Sequence, residues 1–139
     1  MVDAMISIKP RHVENIIKGL KTVELRTKNI NLPVGSKLWI YTTMPVGRVD
    51  VSATIQFIET LSPSEIWDKY NEQICISKEE YLGYTKGRDQ VTAIGLTCVK
   101  SLCGSICLET LRDFEKGFQP PQFISKLYPE RKIYSAFYS

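Results

Sequence analysis

Near its N-terminus the chain carries an ammonium, a carboxylate and a guanidinium within six residues. These are Lys21, Glu24 and Arg26, in the run Gly19-Leu20-Lys21-Thr22-Val23-Glu24-Leu25-Arg26. Such a group can grip an anion: a guanidinium forks onto a phosphate or a base edge, and a neighbouring carboxylate fixes its orientation. A lysine in this company also becomes a base or nucleophile if its pKa falls. Val23 and Leu25 alternate with Thr22, Glu24 and Arg26, so a strand here turns its apolar pair to a core and its polar set the other way. Lys21 stands just before that strand, where a long cation reaches over the polar face. The plainer alternative is a solvated strand face with a Glu24–Arg26 surface ion pair, an interaction worth little.

The corner needs flanking elements to hold it. Met5 to Lys9 alternates and reads as a strand, with Ile6 and Ile8 inward and Ser7 and Lys9 on the other face. Pro10 suits the first turn of a helix. Val13, Ile16, Ile17 and Leu20 then recur at helical spacing, and Gly19 is placed to end the helix in a left-handed cap. A turn-rich link from Asn29 to Ser36 leads to Lys37–Thr43, apolar at nearly every position and therefore expected in the middle of a sheet. Met44-Pro45-Val46-Gly47 breaks it, and Val49 to Ile58 is the next strand. Ser62-Pro63-Ser64-Glu65 and Ser77-Lys78-Glu79-Glu80 are capping boxes that start two helices of a hairpin, the second ending near Gly87. Gln90 to Lys100 returns to strand, Cys103 to Leu108 is strand or turn, and Leu111 to Glu115 a short helix or turn. Gln119-Pro120-Pro121-Gln122-Phe123 is stiff and extended. The tail Ile133 to Tyr138 is open to a further edge strand. Strands in succession with few helices between them predict an α+β fold, a mixed or antiparallel sheet curled into a small barrel and flanked by helices.

The 139 residues suit one domain, and 43% hydrophobic with 24% charged residues is the composition of an ordinary globular protein. No run is long and apolar enough for a membrane span, and the first residues lack the pattern of a secretory signal, so a cytoplasmic location is expected. Cys75, Cys98, Cys103 and Cys107 are then reduced thiols. Their gaps match no zinc knuckle, and His12 is the only histidine, so neither a metal site nor another cofactor is predicted. His12 itself reads as a solvated helix residue. A net charge of +3 permits contact with nucleic acid without demanding it, and leaves a protein-interaction module open.

The signature Gly19-x-Lys21-x-x-Glu24-x-Arg26 resembles that of the ASCH domain family, a branch of the PUA-like β-barrels. Ser7-Ile8-Lys9-Pro10, Tyr41-Thr42-Thr43-Met44-Pro45, the helix start Ser77 to Tyr81, Gly87-Arg88 and Pro120-Pro121-Gln122-Phe123 resemble family segments in the same order. Phe123-Ile124 departs from the family's Ser-Phe at that step. The resemblance implies one PUA-like domain over 1–139, with a C-terminal extension from about residue 124. It also implies a cleft at the signature corner that takes RNA or a modified nucleoside or nucleotide. There Lys9, Lys21 and Arg26 would meet phosphates, Tyr41 would stack a base, and Ser7, Thr42 and Thr43 would add neutral hydrogen bonds, with Glu24 holding Arg26.

Two catalytic alternatives share the corner. One is a small amidohydrolase of acylated nucleosides such as N4-acetylcytidine, with Lys21 as base or nucleophile and Glu24, Glu79 or Glu80 moving the proton. Relatives of that type have threonine where this chain has Glu24, and an unshielded Glu24 would raise the lysine's pKa. The other is a ribonuclease, which without a histidine pair would have to use lysine with tyrosine or serine.

Overall fold

The computed structural model describes residues 2–138. The elements run β1 (Asp3–Ile8), α1 (Pro10–Ile17), β2 (Val23–Arg26), β3 (Lys37–Thr42), β4 (Arg48–Leu61), α2 (Pro63–Tyr70), α3 (Lys78–Thr85), β5 (Val91–Cys107), α4 (Leu108–Phe114), β6 (Ile124–Leu127) and α5 (Tyr134–Tyr138). The six strands form one mixed sheet in the order β2-β5-β4-β3-β1-β6. Only β1 and β3 run parallel, because α1 and β2 lie between them in the chain and carry it back to the same end. The other four pairings are antiparallel. The hydrogen-bonded ladder is linear, with β2 at one end and β6 at the other. The α+β class is as expected.

The capping boxes form as read. Ser62 Oγ accepts from Glu65 N and Ser77 Oγ from Glu80 N, each tying down a free N–H of the first helical turn. β3 lies between β1 and β4, and its residues from Leu38 to Thr42 are all buried.

Other elements depart from expectation for local reasons. The first helix is two turns long, so Val13 and Ile16 are buried while Ile17 and Leu20 are exposed; the chain swings away at Gly19, where φ is +78°. The last long strand and the ambiguous Cys103 segment are one strand, β5, that follows β4 through three register shifts. The tail is a helix. Phe137 and Tyr138 pack their rings against Trp39, with centroids 4.8 and 5.6 Å away, so a helical turn covers that indole. The edge strand is instead β6, paired with Asp3–Ile6.

Three clusters make the interior. Ile6, Ile8, Ile16, Ile40, Ile55 and Leu96 join α1 to one face of the sheet. Met5, Trp39, Val49 and Leu111 occupy the other face, under α4 and α5. Val23, Leu25 and Ala93 pack with Ile66, Ile74 and Tyr81 beneath the α2–α3 hairpin. The third cluster is the anchor of the corner.

Gly95, opposite both Val23 and Phe57, holds β2, β5 and β4 in register. The Phe57 ring lies over it, stacked on Tyr70 at 5.2 Å, and a Cβ at Gly95 would sit 2.1 Å from Cε2. Gly95→Ala is therefore expected to destabilise the fold by about 1–3 kcal/mol through overpacking, and Phe57→Leu to recover part of that loss. Urea-unfolding midpoints of the single and double variants test this, and an unchanged midpoint in Gly95→Ala contradicts it.

Candidate functional site: a charged cleft

The corner is built by hydrogen bonding before its side chains come into play. After Gly19, the N–H groups of Leu20 and Lys21 both donate to Asn15 O, which folds the chain back under α1. Thr22 N and Val23 N both donate to Gln73 O, docking β2 on the segment between α2 and α3. Lys21 then extends into that junction, where its Nζ donates to Ile74 O at 2.7 Å.

Burial separates this site from a surface ion pair. Lys21 is 2% exposed and Glu24 5%. Glu24 lies between two cations, with Lys21 Nζ 3.4 Å from Oε1 and Arg26 Nη1 2.7 Å from Oε2. Arg26 also donates to Leu25 O and, through Nη2, to Ser7 O of β1 at 2.8 Å. Ser7 lies just past the residues of β1 that pair with β6. One guanidinium thus connects β2 and β1, which share no ladder.

The proton affinities follow from the same burial. Loss of hydration pushes the Lys21 pKa below its ordinary value, against the opposing pull of Glu24. The sequence-based expectation that Glu24 would raise it assumed an unshielded pair, and here desolvation outweighs the attraction. His12 is also held low, first by burial and next by the Lys21 charge. Its side chain is only 16% exposed and its Nε2 lies 4.0 Å from Glu80, so it is not the solvated residue expected. Glu80 is gripped by the Arg11 guanidinium, which holds its carboxyl below the usual range. Burial raises the phenols of Tyr41 and Tyr84, and the Tyr84 hydroxyl donates to Leu25 O at 3.2 Å.

These groups border one cleft of about 960 Å³. One wall is the start of α1 with Lys9, Arg11 and His12; the floor is Lys21, Glu24 and Arg26. Tyr41 and Thr43 come from the end of β3, Glu80 and Tyr84 from α3, Arg112 from α4, and Phe123 from the proline-rich segment. Six cations face two carboxylates. Ser7 Oγ, His12 Nδ1 and Arg26 Nε are buried and have no hydrogen-bond partner among the described residues.

Of the residues singled out from sequence, Lys9, Lys21, Glu24, Arg26, Tyr41 and Thr43 border the cleft together with Ser7. Thr42 is buried beside it, its Oγ1 without a partner among the described residues. Sequence reasoning passed over Arg11, His12, Lys28, Tyr84 and Arg112. His12 was detectable, since it stands one helical turn from Lys9. Arg112 gave no such signal, because its place depends on how α4 folds back.

The buried trio makes a direct prediction. Glu24→Gln removes the charge that compensates Lys21 and Arg26, and is expected to cost about 3 kcal/mol or more. Glu14→Gln, at an exposed i,i+4 pair with Lys18, is expected to change stability by less than about 0.5 kcal/mol. Equal denaturation midpoints for the two variants would contradict this.

Comparison with known proteins agrees with this architecture. Residues 4–126 match the family described as Domain of unknown function (DUF365). The chain is 33% identical over 129 residues to an ASCH domain-containing ribonuclease of Zymomonas mobilis, covering 92% of this chain and 86% of that protein. The crystal structure of ASCH from Zymomonas mobilis superposes with a TM-score of 0.89 at 29% identity, covering 97% of this chain and 94% of that one. Human THYN1, solved with DNA containing 5-methylcytosine, shares the fold at a TM-score of 0.61 and 13% identity, over 99% and 95% of the two chains. With its signature corner at the floor of the cleft and this likeness along nearly its whole length, the chain belongs to the ASCH domain family of PUA-like proteins.

Proposed function

We propose that this protein binds RNA in the cleft, taking a single-stranded segment with its phosphates toward the cationic rim and a base toward the floor. The carrying observation is the concentration of charge: six cations against two carboxylates border one cleft of a chain whose whole net charge is +3. A cleft of net positive charge focuses the field and attracts a polyanion. Tyr84 and Phe123 supply aromatic surface for a base, whereas Tyr41, expected to stack one, is 2% exposed and packs in the apolar core beneath the cleft. Ser7 Oγ and Arg26 Nε are polar atoms of the lining left without a partner among the described residues. A modified nucleoside is the narrower form of this reading, with the base in the same place. The Arg26–Ser7 contact supports a barrel-like closure between β2 and β1. A cytoplasmic location agrees with the absence of any helix long and apolar enough to cross a membrane among the described residues.

Cleavage of the bound RNA is the second reading, favoured by the buried Lys21 and by the similarity to a protein named as a ribonuclease. In that reaction the ribose 2′-hydroxyl attacks the adjacent phosphorus as its proton passes to a base. The P–O5′ bond breaks to leave a 2′,3′-cyclic phosphate, and the leaving 5′ oxygen takes a proton from solvent water. A lysine whose pKa is lowered by burial is suited to the base, with Glu24 beside it to balance the ammonium that forms. In the deacylation of an N4-acylcytidine the same lysine would attack the acyl carbonyl or take a proton from an attacking water. The C–N4 bond breaks, the amine leaves with a proton, and water carries the acyl group off as a carboxylate.

Wild type is expected to bind a fluorescent single-stranded RNA with an affinity that falls as salt rises. Salt-independent binding, or none at physiological salt, overturns the RNA reading. Lys21→Met is expected to lower cleavage by about a hundredfold or more while leaving RNA affinity nearly unchanged. A base must be neutral, so wild-type cleavage should rise with pH through the lowered Lys21 pKa and level off above it. Equal rates for wild type and Lys21→Met rule out this role, and an N4-acetylcytidine assay beside it separates the deacylase.

A further inference from the structure

The cations of the cleft differ in how much of their hydrogen-bonding capacity the protein already uses. Lys21 is committed to Ile74 O and Glu24. Both terminal nitrogens of Arg26 are spent on Glu24, Leu25 O and Ser7 O. Arg11 is forked onto Glu80 with both of its own. Lys28 leans over the Phe123 ring, 5.7 Å from its centroid. The cations of the family signature therefore have their charge compensated within the protein, and of Arg26 the Nε is left without a partner among the described residues.

Arg112 is the opposite case. Its Nε donates to Phe118 O at 3.0 Å and its Nη2 to Gln119 Oε1 at 3.3 Å. Both acceptors are neutral, and Arg112 has no carboxylate partner among the described residues. These bonds fix the plane of the guanidinium but leave its charge uncompensated and Nη1 unused. A planar donor fork held in place loses little freedom on binding, which a flexible lysine such as Lys9 does not match. Tyr41 belongs to the same part of the cleft: the Arg112 charge acts on its phenol against the effect of burial. Leu108 N donates to Gly47 O, joining α4 to the turn after β3 that carries Tyr41 and Thr43.

We infer that Arg112 is a phosphate clamp, set on α4 and held by Phe118 and Gln119, and that the ligand of this cleft is a phosphorylated chain rather than a free nucleoside. This rests on the RNA reading and narrows it. A nucleoside seated at the Lys21–Glu24–Arg26 floor carries no anion for Arg112 to meet. A nucleotide chain with one base at the floor places a backbone phosphate at the α4 side. The clamp also divides the labour of the cleft, with recognition of charge at α4 and the buried signature residues inside.

The test uses anisotropy titrations of a labelled single-stranded RNA across a salt series, with wild type, Arg112→Gln and Arg112→Lys. Arg112→Gln is expected to weaken binding about tenfold and to reduce the salt slope by about 0.7, the loss of one phosphate contact on a single strand. Arg112→Lys should keep the slope but regain only part of the affinity, because the charge returns without the fork. Unlabelled cytidine, followed by NMR, should bind wild type and Arg112→Gln alike. If wild type binds RNA and Arg112→Gln binds with the same affinity and slope, the clamp is wrong and the RNA reading survives. A loss of affinity at unchanged slope with a lowered melting temperature assigns Arg112 a structural role and also overturns the clamp. Titration of wild type with inorganic pyrophosphate, reading the arginine Nε–H resonances, tests the clamp without RNA. The resonance lost in Arg112→Gln should shift first, and its failure to move refutes the clamp even where RNA binding itself has failed.

Discussion

A carboxylate buried between two cations sets the terms for the rest of this structure. Glu24 has left water, and so have Lys21 and most of Arg26. Removing three charges from solvent costs several kcal/mol per ion unless each finds a partner and the remaining hydrogen bonds are made. The chain meets most of that demand with backbone: Ile74 O takes one donor of Lys21, and Leu25 O and Ser7 O take two of Arg26, leaving its Nε without a partner among the described residues. The α2–α3 connection, β2 and the end of β1 must all be in place for the trio to be tolerated. The corner is then as much a keystone of the fold as a site, and its residues cannot be judged as though they were free to meet a ligand.

That constraint divides the cleft into two electrostatic regimes. At the floor, low hydration weakens the lysine's hold on its proton, and the neighbouring carboxylate cannot restore it. At the rim, Arg112 keeps its hydration and an uncompensated charge while two neutral acceptors hold its plane. In the proposed function, long-range attraction of a polyanion belongs to the second regime, and proton transfer, where cleavage occurs, to the first. The same cleft is bordered by aromatic residues from three separate segments, Tyr41, Tyr84 and Phe123. A cleft with charge recognition outside and a desolvated amine inside suits a strand of RNA better than it suits a small neutral metabolite.

Local periodicity and capping chemistry carried much of the fold. The hydroxyl–x–x–glutamate runs marked both helices of the hairpin because an N-cap is satisfied within four residues, whatever the rest of the chain does. The apolar run at Lys37 marked a central strand because only a strand covered on both faces needs such a sequence. Where the prediction departed, a distant partner decided. Trp39 gave the tail a ring to cover and made it helical, and β6 took the edge of β1.

For the site, local pattern was enough to say which residues share the corner. Alternation sends Glu24 and Arg26 to the face opposite Val23 and Leu25, and Gly19 lets the chain turn back to bring Lys21 beside them. What it left open was the medium those charges sit in. Whether Lys21 meets water or Ile74 O depends on a segment 53 residues away, and burial rather than spacing fixes its proton affinity. Tyr84 and Arg112 joined the cleft for the same reason: each is brought there by packing between elements, and no local pattern records that. Spacing along the chain chose the chemical groups, and tertiary structure chose the dielectric and the neighbours that decide what those groups can do.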